Sequence, residues 1–402
     1  MTENQKQPDS GTQDDNSNGV LFLRHPKAIE NPIEWYSSKI AGVPFILRNL
    51  LTLKRAGIKT LAVFMEDPHG DLKKSFEKLL TDSRLPKNIP WINNIPQLKE
   101  WTQNNPAYIL NGSALHNKKE LHSLIHSNAK NERASTFPIN PEKLNELLLD
   151  NPTAIKSQQA DFPIYVPGAT EAQIQEPEDF KRLHEILVGG SGLSHDSSIT
   201  RILSRPASRL LTRMFLNTPI SPNQITLLSF FLGLVSAFLF LQGSYGTSVI
   251  AAMLLVLSTW VDGADGEIAR LKFMETDIGK KLDIYCDNII HFLVFISIGC
   301  GVYFKTDESI FLYLGGLAGL GGFTAFFLLS PILLDKRSLD NQLFHISEPE
   351  LAEKFANRDF IHFLLLVAVV DQMEIFIAVA AVGANLFAGY LVYSRLLKLK
   401  TA

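Results

Sequence analysis

At 402 residues, with 38 Lys and Arg against 41 Asp and Glu and a formal net charge of −3, the chain has room for two domains. It has no basic surplus that would argue for nucleic acid as a partner. The two cysteines, Cys286 and Cys300, share one apolar segment, a context that suits small buried residues and excludes a disulfide framework or a zinc knuckle.

Residues 1–18 lack the apolar core of a signal peptide and read as a disordered cytosolic tail. Next come VLFL, the helical pattern FILRNLLTLKRAG, and IKTLAVF, a βαβ beginning. AYIL and FPIYVP read as further strands, and NKKELHSLIHSN and PEKLNELLLD as polar helices. These predict a cytosolic α/β, Rossmann-like domain over 19–188.

Residues 189–217 open on the Gly- and Ser-rich GGSGLSHDSS, a linker. Arg201, Arg205, Arg209 and Arg213 then recur every four residues, and Ile202, Leu203, Leu210, Leu211, Met214 and Phe215 supply apolar faces. The pattern predicts an interfacial juxtamembrane helix at the bilayer surface. The plainer alternative is an ordinary helix with a solvated basic face.

Six apolar segments fill 218–402, near 223–243, 246–268, 283–304, 309–334, 359–371 and 373–394, and predict an α-helical membrane domain of six transmembrane helices. The fifth is short and must borrow length from its flanks. Loop Lys and Arg residues fall on one side except Lys305, which predicts a multi-pass protein with both termini cytosolic, in the inner membrane if the source is bacterial.

The chemistry concentrates in VDGADGEIARLKFMETDIGKKLDIYCDNIIH. Asp262 and Asp265 share a helix face with Gly266, Ala269 and Arg270, and Gly279, Asp283 and Asp287 make a matching stripe on the next helix. An aspartate at the centre of a spanning helix costs about 2.5 to 3.5 kcal/mol, and four together repel one another, so bound positive charge is required. Hard oxygen donors without His or Cys at ligand spacing favour Mg²⁺ or Mn²⁺, and four carboxylates suit two ions. Gly266 and Gly279 leave room for a ligand at the backbone, and Arg270 suits phosphate oxygens. His291, one turn beyond Asp287, reads as a packing residue.

The pattern D-x-x-D-G-x-x-A-R, eight residues, then G-x-x-x-D-x-x-x-D resembles the signature of the CDP-alcohol phosphotransferase family, with every fixed position present. The resemblance implies six membrane helices with the signature across the second and third. It also implies displacement of CMP from a CDP-alcohol by an acceptor hydroxyl, and a homodimer. It casts Asp262, Asp265 and Asp283 as metal ligands and Asp287 as a ligand that doubles as general base. It lines the CDP site with Gly266, Ala269, Arg270 and Gly279. SPNQIT is also similar to the family and adds Asn223 and Thr226, although Asn223 after Pro222 equally suits a helix cap. Arg358 and Asp359, in NRDF at the start of the fifth segment, are candidate acceptor contacts.

KIAGVPFILRNLLTLKRAGIKTLAVF resembles a motif of sugar-phosphate nucleotidyltransferases, which occur fused to CDP-alcohol phosphotransferases in enzymes making inositol phosphodiesters by way of CDP-inositol. The nucleotide-binding positions do not match. The loop RHPKAIENPIEWYSS has no glycine to cradle a triphosphate, and Asn111, Gly112 and Ser113 stand where a metal-binding Asp is expected. The domain therefore reads as a degenerate nucleotidyltransferase. Two rival readings of the whole chain are an intramembrane ion pathway, which explains neither the glycine spacing nor Arg270, and a catalytically silent scaffold, which leaves the intact signature unexplained.

Overall fold

The computed structural model describes residues 18–23, 29–65, 67, 70–102, 107–126, 137–138, 164–166, 168–191, 200–334 and 359–401. The expected helix PEKLNELLLD and Arg358 lie outside them. Two compact units divide between Ile186 and Leu187.

In chain order the first unit runs β1 (Asn18–Phe22), α1 (Pro32–Ser37), β2 (Lys39–Ile40), β3 (Val43–Pro44), α2 (Phe45–Arg55), β4 (Thr60–Phe64) and α3 (Asp71–Leu80). It continues with β5 (Trp91–Ile92), α4 (Ile95–Thr102), β6 (Ala107–Asn111), α5 (Lys118–His126), β7 (Phe137–Pro138) and β8 (Ile164–Val166), and α6 (Pro177–Gly189) follows. Asn18, the last residue of the expected tail, is the first of β1. The sheet order is β5-β4-β1-β6-β8-β7, parallel except for β7 against β8. β1 and β6 are buried throughout and β4 at all but its first residue. Strands covered on both faces need unbroken apolar runs rather than alternation, which is why VLFL, LAVF and AYIL read as they do.

KIAGVP forms the hairpin β2-β3. Its turn residues Ala41 and Gly42 have φ of 45° and 76°. Arg48, buried on α2, clamps this turn, Nε donating to the Ile40 carbonyl at 2.9 Å and Nη2 to that of Ala41 at 3.1 Å. In an open parallel sheet the ligand crevice lies outside the carboxyl ends of the strands where their order reverses, here between β1 and β6. At that point Gly112 N donates to the Phe22 carbonyl at 2.6 Å and Asn111 Nδ2 to Gln173 Oε1 at 3.1 Å. The buried His116 ring meets the Asn111 carbonyl through Nε2 at 2.8 Å. Burial pushes the His116 imidazole down to about 4, against the raising effect of that carbonyl.

In the second unit, after the end of α6, a π-helical turn, Thr200–Ser204, leads into α7 (Arg205–Leu216). Then come α8 (Pro222–Phe240), α9 (Tyr245–Leu271), α10 (Asp277–Thr306), α11 (Ile310–Leu334), α12 (Asp359–Val369) and α13 (Met373–Thr401). Five of these, α8 to α11 and α13, contain stretches long and apolar enough to cross a membrane. The expected fifth span is the shorter helix α12, whose 11 residues reach only about 16 Å at 1.5 Å per residue. Phe231, Met253, Phe327 and Leu386 point outward, as lipid contact requires, while Phe240, Leu255, Val294, Ile298, Leu364 and Ile377 pack the interior. At the far end of α10 from the acids, Lys305 Nζ donates to both carboxylate oxygens of Asp371 at 3.0 Å.

The structure corrects three expectations. Of the four arginines at four-residue spacing, Arg205 is not a surface cation: it is buried together with Ser204, Ser208 and Thr212, whereas Ile202, Leu203, Leu210 and Met214 are exposed, which leaves the expected placing at a bilayer surface open. Buried polar residues of α7 pack on protein beside Leu211, Phe215 and Leu216, while Leu210 and Met214 point away. The cap of α8 is Ser221, which accepts from Gln224 N while Gln224 Oε1 accepts from Ser221 N, so Asn223 is not the cap. Cys286 is buried but Cys300 only half so.

Candidate active site

Asp262 and Asp265, three residues apart near the end of α9, face α8 and α10. Ser229 Oγ donates to Asp262 Oδ1 at 3.4 Å, and Thr226 Oγ1 donates to Asp265 Oδ2. Asp283 enters from α10. One carboxylate oxygen from each of Asp262, Asp265 and Asp283 lies within 4.8 Å of the others, and the first two side chains are buried. Three carboxylates at that spacing repel one another, a repulsion that a cation would relieve, and an all-oxygen donor set suits a hard divalent ion. The residues present therefore fit the implied Mg²⁺ or Mn²⁺. Asp287, one turn beyond Asp283, is not part of this trio.

A cavity of about 400 Å³ opens beside the trio. Asn223 and Thr226 from α8, Gly266, Ala269 and Arg270 from α9, and Gly279 from α10 all line it, together with Asp265 and Asp283. Space is tightest at Gly279 and less so at Gly266, where the neighbour is the end of a flexible side chain. A Cβ at Gly279 would stand 2.8 Å from Asn223 Oδ1 and 3.0 Å from Thr276 Oγ1, and one at Gly266 would stand 3.2 Å from Arg270 Nη1. Arg270 is oriented by the Ser191 carbonyl, to which Nη2 donates at 2.9 Å and Nε at 3.3 Å.

A second cavity, of about 590 Å³, borders Asp283, Asp287, Asn288 and His291 at its polar end. Beyond them its walls are mainly phenylalanine, among them Phe295, Phe326, Phe360, Phe363 and Phe376. His291 packs edge-on against Phe360 with ring centroids 5.1 Å apart. Asp359 begins α12, the helix that brings Phe360 and Phe363 to this cavity.

Sequence reasoning passes over Glu267, which lies between two signature residues on α9 and is fully buried. Its signal was available: a fifth acid in an apolar helix demands a cationic partner. It also misses Ser229 and the apolar cavity, whose walls come from four helices far apart in the chain.

A carboxylate trio drawn from two membrane-capable helices, its two α9 members buried, beside a cavity lined by Arg and Gly, is an arrangement suited to a divalent ion and a phosphate group. Residues 219–338 match the CDP-alcohol phosphatidyltransferase family, so this chain carries a domain of that transferase family. The chain is 34% identical over 152 residues to the bifunctional IPC transferase and DIPP synthase of Archaeoglobus fulgidus, covering 37% of this chain and 29% of that one. It is 29% identical over 163 residues to the protein of the same name from Thermococcus kodakarensis, covering 39% and 35%. An uncharacterised protein of Aquifex aeolicus is 37% identical over 100 residues, 25% of this chain and 49% of that one. The aligned stretches thus span only about a third of the bifunctional relatives.

Proposed function

We propose that this protein is a metal-dependent CDP-alcohol phosphotransferase that moves a phospho-alcohol group from a CDP-alcohol to an acceptor hydroxyl and releases CMP, in phospholipid or polar headgroup synthesis. The observation that carries the reading is that two chemically different cavities meet at Asp283. The polar cavity suits the nucleotide diphosphate, with Arg270 against phosphate oxygens and Asn223 and Thr226 beside the nucleotide. The phenylalanine-lined cavity suits an alcohol that carries a hydrocarbon chain, its reactive hydroxyl next to Asp287.

Divalent ions held by Asp262, Asp265 and Asp283, with Asp287 as a further ligand in the two-ion form, would supply positive charge against the pyrophosphate. Within that field Asp287 takes the proton of the acceptor hydroxyl. The new bond joins the acceptor oxygen to the alcohol-bearing phosphorus, and the bond to the CMP oxygen breaks in line. Of the relatives' two named activities we assign only phosphotransfer to this chain, because the crevice of the first unit presents Asn111, Gly112 and Ser113 where a metal-binding acid is needed. Arg358 and Asp359 remain proposed acceptor contacts, and a homodimer with cytosolic termini is the proposed arrangement in the bilayer.

The test is CMP release by the purified full chain from CDP-alcohols bearing either a lipid or a small polyol, each with chain-bearing and soluble acceptors, in Mg²⁺, Mn²⁺ or a chelator. Release that a chelator abolishes is expected. No release from any pairing by folded protein would leave the scaffold reading, and cation flux through proteoliposomes without CMP release would favour the ion pathway.

A further inference from the structure

The fully buried Glu267 sits two residues beyond Asp265, on the side of α9 that meets α7. Its Oε1 accepts from Arg205 Nη1 at 2.7 Å and from Ser208 Oγ at 3.3 Å, and its Oε2 accepts from Thr212 Oγ1 at 2.8 Å. The Arg205 and Glu267 side chains are 10% and 0% exposed, so the pair is out of solvent. One turn earlier, a Cβ at Gly263 would stand 2.9 Å from Ser208 Oγ, so α7 and α9 touch closely along the same stretch that carries Asp262 and Asp265. From the other side the hydroxyls of Thr226 and Ser229 on α8 hold those two aspartates. Just before α7, Ser204 Oγ meets His362 Nε2 of α12 at 3.2 Å.

We propose that Glu267 is a positioning residue for the metal-binding aspartates, acting through a buried clasp with Arg205, Ser208 and Thr212 that fixes the rotation and register of α9. This rests on the reading that Asp262, Asp265 and Asp283 hold a divalent ion. Replacing a buried ion pair by apolar side chains is often neutral or even stabilising, so the clasp is not needed merely to hold two helices together. Small residues such as Gly263 and Ser208 allow close contact but permit sliding, whereas three directed hydrogen bonds to one carboxylate do not. Any rotation of α9 that loosens Glu267 also carries Asp262 and Asp265 away from Asp283, because all three acids of α9 ride on the same two turns.

The experiment measures Mn²⁺ binding to the detergent-solubilised full chain by the loss of the free Mn²⁺ EPR signal, alongside thermal unfolding. Arg205→Gln and Glu267→Gln are expected to raise the Mn²⁺ Kd about tenfold or more, the usual cost of losing a group that orients metal ligands. Thr212→Val is expected to raise it less, and Arg205→Lys to stay near wild type. A clasp that only stabilises the fold would lower the melting temperature and the folded yield without moving the Kd of the protein that remains. Folded Arg205→Gln and Glu267→Gln proteins whose Kd stays within about twofold of wild type overturn the proposal, since a positioning loss costs at least about tenfold. If the Gln variants do not fold, Thr212→Val decides: weaker binding supports the clasp and unchanged binding overturns it. Wild-type protein that binds no Mn²⁺ would instead refute the metal site itself.

Discussion

Asp283 and Asp287 stand one turn apart on α10, yet Asp283 borders both cavities while Asp287 borders the apolar one. On the proposed mechanism this division separates two roles for chemically identical groups. Asp283 lies with Asp262 and Asp265, and the proposal gives Asp287 to the acceptor. Asp287→Asn should therefore leave a folded bundle while slowing CMP release by about 10²-fold or more, the scale of a lost general base. Turnover of that variant near the wild-type rate would remove Asp287 from the proton transfer.

The nucleotide assignment is tested where space is tightest. Gly279→Ala adds a methyl 2.8 Å from Asn223 Oδ1, which forces Asn223 away from its place in the polar cavity. The expected result is a donor KM raised by about tenfold, the loss of one good polar contact, with the acceptor KM unchanged. Equal changes for donor and acceptor would mean that Asn223 does not serve the nucleotide.

The apolar cavity makes a claim about the acceptor or donor alcohol. Ala380 is on its wall, and Ala380→Trp would fill part of the space. Activity with chain-bearing alcohols should fall about tenfold or more, the cost of excluding two or more methylenes from an apolar pocket, while Mn²⁺ binding at the trio is preserved. Undiminished turnover of long-chain substrates would show that the hydrocarbon lies elsewhere.

For the first unit, the prediction is catalytic silence. The full chain given CTP, Mg²⁺ and a panel of alcohol phosphates should release no pyrophosphate, because the polar network of Asn111, Gln173 and His116 replaces a metal acid at the sheet crevice. Pyrophosphate release with any alcohol phosphate would restore nucleotidyl transfer to this domain.

The same network carries a pH signature. An unfolded His116 binds its proton below about 6.5, and the folded, buried ring only below about 4. Its contribution is fully present above pH 6.5 and is lost as pH falls to 4, a total of about 3 kcal/mol. Unfolding of the first unit, followed by fluorescence of the buried Trp35 and Trp91, should thus show a steeper loss of stability across that window than His116→Asn does. Parallel profiles for the two proteins would assign the pH dependence to other groups.

Periodicity is a local property, and what it encodes was readable from the chain alone. The spacing of Asp262 and Asp265 put them on one helix face, and the spacing of Asp283 and Asp287 did the same on the next. The unbroken apolar runs of VLFL and AYIL marked strands covered on both faces, and five of the six expected spans were legible from their length. The missing glycines and acid of the first domain were equally plain. What remained hidden depends on partners distant in sequence. Hydropathy shows that residues 201–215 have two faces but not which one meets protein, so Arg205 looked like a surface cation until packing buried it against Glu267, 62 positions away. Helix capping depends on where the backbone turns, and that moved the cap from Asn223 to Ser221. The clustering of Asp262, Asp265 and Asp283, the placing of Asp287 on the apolar cavity alone, and the meeting of two cavities at Asp283 exist only once α8 to α13 have packed. No single helix contains the far wall of either space.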